Sequence, residues 1–427
     1  MSNTLKFGNG IWATKVGSTL AYNDENGNFK PLPFNFTRAT SATRVNKEGL
    51  IEVVTNNKPR IDFKDDAKGA LKLEPSRSNL ITHSEDIESW ATSGTITKTN
   101  NVHISPDGTQ NAGTITSSAS GFDRITQTIS VSINSTYTAS LFIKKEQTQT
   151  NYMGIGFIFT GGTTDVGYVI FDAINGVAVS ADARIDVISE VKDFGDYWQL
   201  ISTATDNGNN TSLQSNIYST LSTNGTTTGA GISSPRTIWG IQLEQGSYST
   251  SYIPTQGSAV TRSAETANGA GDASTFNSQS GALFGEFKTD TDGGNFLISI
   301  SEDNNNGGAV FIGADANEKI YTYYNSANHV SDINSYESLN KVCISWSSDG
   351  VKIYINGLSK NVLGSQALST SNYNNIKLSR ANTSLKFLGQ IKDLRVYNTA
   401  LTDIELEKLT SWVSFSDMAN GQQYSII

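Results

Sequence analysis

Cysteine is almost absent from this chain of 427 residues: there is one, Cys343, in the apolar run KVCISW. An intrachain disulfide is excluded, and a thiolate zinc site with it. A lone Cys in such a run reads as a small buried apolar residue. Histidine is nearly as scarce, with only His83, His103 and His329, and none stands in an H-E-x-x-H pattern. No phosphate-loop pattern and no G-x-S-x-G occurs, so nucleophilic hydrolase chemistry has nothing to stand on. Charged side chains make up only 17% of the chain, so its polarity comes from Ser, Thr, Asn and Gly. The formal charge is −9, and no basic cluster is denser than Lys144-Lys145. That argues against nucleic-acid binding, which needs a basic stripe. No apolar run is long enough to span a membrane, and the start MSNTLKFGNGIWATKVG lacks the apolar core of a signal peptide. The expectation is a protein made without a secretion signal and not inserted into a membrane.

What is present is aromatic, β-branched and turn-rich. Eighteen Phe, sixteen Tyr and six Trp are spread along the chain and need burial, which excludes wholesale disorder. With 38 Gly and only 7 Pro, and many short Thr/Val/Ile/Tyr runs, the fold class reads as all-β. Between residues 81 and 262 the runs DRITQTISV, TYTASLFIKK, YMGIGFIF, VGYVIFD, YWQLISTAT and TIWGIQLEQG predict an antiparallel sandwich. Residues 263–415 predict a second sandwich. Its surest element is the hairpin around SSDG, with Val342, Ile344 and Trp346 on one face and Val351, Ile353 and Ile355 likewise. Residues 1–80 read as a small N-terminal module, 263–280 as a linker or a first loose strand, and 416–427 as a tail. So short a module can hardly bury Trp12 alone, so its indole is expected against a neighbouring chain or the next module.

One segment of that module stands out, FNFTRATSATRVNKEGLI at 34–51. If extended throughout, it places Arg38, Thr40, Ala42 and Arg44 on one face, and neither face is apolar enough for an ordinary core strand. One helix breaks the β pattern: LTDIELEKLTSW offers Thr402 as N-cap with Glu405 three residues on, a capping box.

The segment FTRATSATRVNKEGLIEVV, followed by PRIDF and LEPSRSNLI, resembles a module of tailed-bacteriophage fibre and spike proteins. In those proteins a carbohydrate-binding-module-like jelly roll follows, closing with a phrase like WGIQLEQGSYSTSYIPTQGSAVTRSAE. The resemblance covers roughly 36–265. The third stretch resembles a concanavalin A-like, laminin-G-like lectin domain through WSSDGVKIYINGL and GQIKDLRVYNTALTDIEL. Together these imply a bacteriophage virion protein, a head or tail fibre or spike, on the particle surface. It would meet other virion proteins through residues 1–80 and host cell-surface polysaccharide through its sandwiches, as a homotrimer. Two other readings are a polysaccharide depolymerase tailspike and a purely structural capsid or collar decoration protein.

The residues themselves supply candidates for each reading. Concanavalin A-like glucanases place catalytic carboxylates at alternate strand positions, and Asp403, Glu405 and Glu407 mimic that spacing. On a helix, however, such positions diverge by about 200°, and acids in a first turn serve the helix dipole. No catalytic residue is assigned, and the chain is expected not to be an enzyme. Glycan contacts are expected from Tyr323, Tyr324, Asn325 and His329, from Asp303 and Asn305 in the neighbouring Asn-rich loop, and from Tyr197. Ca²⁺ is a possible ligand of the oxygen-rich loop carrying Asp290, Asp292 and Asn295; no other cofactor is expected. Arg38 and Arg44 are read as assembly ion pairs, within the module or between subunits, with partners such as Asp62 or Glu74.

Overall fold

The computed structural model describes residues 4–117, 123–146, 152–181, 184–221, 235–290, 296–302, 309–325, 327–363, 368–380, 385–422 and 424–426. The fold is all-β, and the chain divides into two compact units. A discontinuous unit comprises Met1–Lys47, Val54–Pro75 and Ser263–Ile427, and an inserted unit comprises Glu48–Val53 and Ser76–Arg262.

The discontinuous unit is a sandwich of a ten-stranded and a nine-stranded sheet. Seven strands of the nine-stranded sheet matter below: β1 (Phe34–Thr37), β2 (Thr266–Ala270), β3 (Phe296–Ser301), β4 (Val310–Ala314), β5 (Lys319–Tyr324), β6 (Ala327–Asn334) and β7 (Asn375–Lys377). In space they run β1-β2-β7-β3-β4-β5-β6. Side chains alternate between faces along each strand. Phe34, Ala267, Ile298, Ile312, Ile320 and Ile376 therefore point inward to meet Leu5, Leu283, Ile344, Ile353 and Leu394 of the other sheet. The hairpin has the register its alternation predicts, with Val342 opposite Ile355, Ile344 opposite Ile353 and Trp346 opposite Val351.

Residues 1–75 do not stand apart as a module. Leu5 pairs with Val396, Leu71 with Ile391, and β1 is a direct neighbour of β2. The reason is burial: short two- to four-residue strands have little apolar area of their own, and the C-terminal sandwich offers them open edges. Trp12 packs edge-on against Phe7, with ring centroids 5.2 Å apart, and its indole N–H donates to Lys68 O at 2.7 Å. The segment expected as a linker or a first loose strand contributes β2, an interior strand whose Ala267 and Ala270 are fully buried. Helix α1 (Asp403–Thr410) carries the capping box: Thr402 accepts from the Glu405 N–H and the Glu405 carboxylate accepts from the Thr402 N–H. In place of a simple tail, Phe415–Gly421 is also helical, and the Gln422 amide beyond it donates to Leu339 O at 3.1 Å.

The inserted unit is a sandwich of two six-stranded antiparallel sheets. Ile125, Phe157, Phe159 and Ile217 of one sheet interleave with Ile115, Leu141, Leu200 and Ile238 of the other. Its first and last segments pair with each other, Arg77–Asn79 against Val260–Arg262.

Candidate functional site

The extended run 34–51 is interrupted: β1 ends at Thr37 and the next strand begins at Ala42. Arg38 therefore does not share a face with Arg44. It continues the inward face of Phe34 and Phe36, and only 1% of its surface is exposed. Its guanidinium donates to the carbonyls of Thr40 (2.8 Å), Lys58 (3.0 Å), Val54 (3.1 Å) and Thr55 (2.6 Å). Its charge is met by Glu265 Oε1 at 2.7 Å. Arg60, which sequence reasoning passed over, lies on the same carboxylate: Nε donates to Glu265 Oε1 at 2.9 Å and Nη2 to Glu74 Oε2 at 2.9 Å. Burial alone would lower the Arg60 pKa, but Glu265 and Glu74 raise it above the ordinary arginine value. Glu265 closes the cluster by accepting the Glu74 N–H at 3.0 Å. Arg44 is half-buried and donates to Ile61 O at 3.2 Å. Asp62, one expected partner, accepts the Val45 and Lys64 N–H groups. The conspicuous arginine is thus satisfied inside its own chain, and the cluster is architecture.

The expected glycan residues fall in several places. Tyr323 lies half-buried on the outer face of β5 against Phe311, with centroids 5.0 Å apart. Tyr324 has the opposite parity. It is fully buried, stacks on Trp346 at 5.9 Å, donates to Ser278 O at 3.2 Å and accepts the Ser369 N–H at 3.0 Å. Its place is the core, out of reach of a ligand. Asn325 takes the left-handed turn after β5, with φ 43°, and His329 is half-buried on β6, its pKa held down by burial and by Lys360. Tyr197 belongs to the inserted unit. It is buried, its hydroxyl donates to Ile104 O at 2.6 Å, and burial with the nearby Asp196 pushes its pKa to about 12. Asp303 and Asn305 lie outside the described residues, as do Asp292 and Asn295 of the oxygen-rich loop. Asp290 remains; its N–H donates to Leu388 O at 3.1 Å. Among the described residues no three His, Cys, Asp or Glu side chains gather as for a metal ion. Two of the helical acids are occupied: Asp403 pairs with Lys352 at 2.9 Å and accepts the Tyr354 hydroxyl at 3.2 Å, while Glu405 caps its helix.

A better site lies on the outer face of β1, β2 and β7. There an open groove of about 590 Å³ has a floor of Asn35, Thr37, Thr266, Asn268 and Lys377. Gly269, Gly271, Asp272, Ala273, Asn374 and Asn375 complete its lining. The register explains the convergence: Asn268 faces Asn35 on one side and Lys377 on the other, and Thr266 faces Thr37, their hydroxyls 2.7 Å apart. Gly269 sits at a register slip in β2 with φ +83°, a conformation that favours glycine. It leaves the floor without a side chain there. Asn268 accepts from the Ser379 hydroxyl through its Oδ1 at 3.1 Å. Asn35 is exposed. The carboxylate of Asp272 is held by the Ser274 hydroxyl at 2.6 Å and the Ser274 N–H at 2.9 Å, and these bonds, the hydroxyl foremost, keep its pKa below the usual carboxylate range. The lining is therefore amides and hydroxyls, which both donate and accept, with one Lys and one Asp.

The sequence carried a faint signal of this site. NFT, TAN and NIK each place polar residues on one parity and an apolar residue on the other. Outward polar positions on any half-solvated strand look the same, so nothing singled these out.

Residues 263–407 match the Concanavalin A-like lectin/glucanases superfamily, and this stretch is a concanavalin A-like, laminin-G-type domain. Among solved structures, the chain is similar to the CBM40 of the Ruminococcus gnavus IT-sialidase, at 17% identity over 34% of this chain and 93% of that one, with a TM-score of 0.28. Mouse laminin alpha1 domains LG4-5 align at 12% identity over 67% of this chain and 89% of that one, with a TM-score of 0.22. Trypanosoma rangeli sialidase aligns at 10% identity over 92% of this chain and 66% of that one, with a TM-score of 0.29. Comparison with curated proteins gives no match.

Proposed function

We propose that this chain is an adhesive structural protein of a tailed-bacteriophage particle, a head or tail fibre or spike component. It holds host-surface polysaccharide in the groove over β1, β2 and β7 without cleaving it. The observation that carries this reading is the groove itself, an open trough of amide and hydroxyl groups on a lectin-type domain. Sugar hydroxyls are donors and acceptors at once, and so are the groups that line it. The phage assignment rests on the resemblance of residues 36–265 to fibre and spike modules. Among the described residues no aromatic side chain lines the groove, so each site would be weak, and display in several copies, as in a homotrimer, would raise avidity.

The test is adsorption. Fluorescently labelled protein should bind host cells, and pretreating those cells to strip surface polysaccharide should abolish binding. Spotted on a host lawn it should leave no clearing halo. Halos with release of reducing ends would sink the non-enzymatic part, and undiminished binding to stripped cells would sink the glycan part.

A further inference from the structure

The groove's shape and charge narrow the ligand class further, given the glycan reading on which this step rests. From Thr266 to Ala270 the groove follows β2 for five residues, roughly 13 Å at ~3.3 Å per residue. Across β1, β2 and β7 it spans two strand spacings, about 10 Å. A trough of that outline is longer than one sugar ring and not much wider. Its polar groups come in tiers along its length: the Thr37–Thr266 hydroxyl pair, then Asn35 beside Asn268, then the loop end at Asp272. A pyranose advances by roughly 5 Å, about four covalent bonds, so a run of ~13 Å holds about three rings. Charge is balanced in the lining, with Lys377 against Asp272, and the chain as a whole carries −9. Neither the groove nor the long-range field favours an anion.

The geometry points to an uncharged, linear glycan segment of about three residues lying along β2 as the ligand. Its chain direction follows the strand, its hydroxyls meet the threonine pair and the two asparagine amides, and the side-chain-free stretch at Gly269 admits its ring edges.

Isothermal titration of the full chain with chitin-, cello- and malto-oligosaccharides of one to five residues tests this. Oligogalacturonate and sialyllactose serve as anionic probes, at low and high salt. Affinity in one neutral series should rise at least ~10-fold from one residue to three, about 1.4 kcal/mol, and then level off. It should be insensitive to salt and fall about 10-fold in Asn35→Ala, whose exposed side chain the fold does not need. A monosaccharide binding as tightly as its trimer would overturn the chain-like ligand while leaving glycan binding intact. Preference for an anionic probe, weakened by salt, would overturn the uncharged ligand and again leave glycan binding intact. No binding of any probe by folded protein would overturn both.

Discussion

Glu265→Gln removes one negative charge from a site where Arg38, Arg60, Glu74 and Glu265 are all buried. The substitution keeps shape and volume but removes the carboxylate that Arg38 and Arg60 share, leaving Glu74 as the buried counter-charge on Arg60. Breaking a buried pair by removing one partner costs about 3–5 kcal/mol, because the remaining charge stays desolvated. Domain stabilities are about 5–15 kcal/mol, so the loss is a large fraction of the total. For a unit of roughly 230 residues, ~2–4 °C per kcal/mol converts this to a fall of about 6–20 °C in melting temperature. Amide exchange followed by mass spectrometry is the assay, because it reads the two units separately. Peptides from Gly281–Thr289 and Asn340–Ser347 should lose protection in the variant, while peptides from the inserted sandwich, such as Thr136–Lys144, should not. If protection of the first pair stayed within ~0.5 kcal/mol of the parent, the cluster would not be holding the discontinuous unit together, and Arg38 would have to be reconsidered as a contact residue.

Other outcomes follow from the same contacts. Joining Pro75 to Ser263 through a few glycines should give a folded discontinuous unit, because Glu265 N–H already donates to Glu74 O at 3.1 Å; a dispersed NMR spectrum checks it and a collapsed one refutes it. Tyr324→Phe should cost about 1–3 kcal/mol in urea unfolding, since it removes the buried hydroxyl that accepts the Ser369 N–H and donates to Ser278 O, and should leave glycan binding unchanged. In the inserted unit, burial pushes the Asp206 carboxyl up, but the Asn210 amide and the N–H groups of Asn134, Gly208 and Asn210 hold it below the ordinary range. A depressed folded-state pKa gives stability that is present above the unfolded value of about 4 and lost as pH falls through the folded one. Asp206→Asn should thus cost about 1–3 kcal/mol at neutral pH and progressively less in acid; a pH-independent difference would contradict the assignment.

Elements whose partners are near in sequence were legible. The 342–355 hairpin has local register and a turn signal, and its pairs are as the alternation requires. The capping box needs only four residues and formed as read. The domain boundary at 80 was not legible, because what decides it is the pairing of Leu5 with Val396. A two-strand edge looks the same in sequence whether it stands alone or completes a sheet nearly the whole chain away. Tyr323 and Tyr324 show a different limit. IYTYYN has an aromatic on both parities, so alternation cannot say which faces in; the core side of Ile320 and the turn at Asn325 decide it.

The same parity logic explains why the arginines at 38 and 44 drew attention and the groove did not. Counting by twos from Arg44 makes Arg38 a same-face neighbour only if the strand is unbroken, and the break between Thr37 and Ala42 resets the count. Counted from Phe34 instead, Arg38 is the third inward residue, and a charge in an inward position demands a buried counter-charge. That demand could have directed a search for acids in otherwise small-residue strands, and SAETANGA holds one, Glu265, directly before β2. The residues that turn the other way along the same strands are Asn35 and Thr37 from β1, and Thr266 and Asn268 from β2. One register therefore serves both ends: the carboxylate that neutralises Arg38 and Arg60 also fixes β2 beside β1, which brings the polar tiers of the groove into line. On that reasoning Glu265→Gln should weaken neutral-glycan binding together with stability, whereas Asn35→Ala should weaken binding alone. Binding unchanged in a destabilised Glu265→Gln protein would show that the groove does not depend on the cluster beneath it.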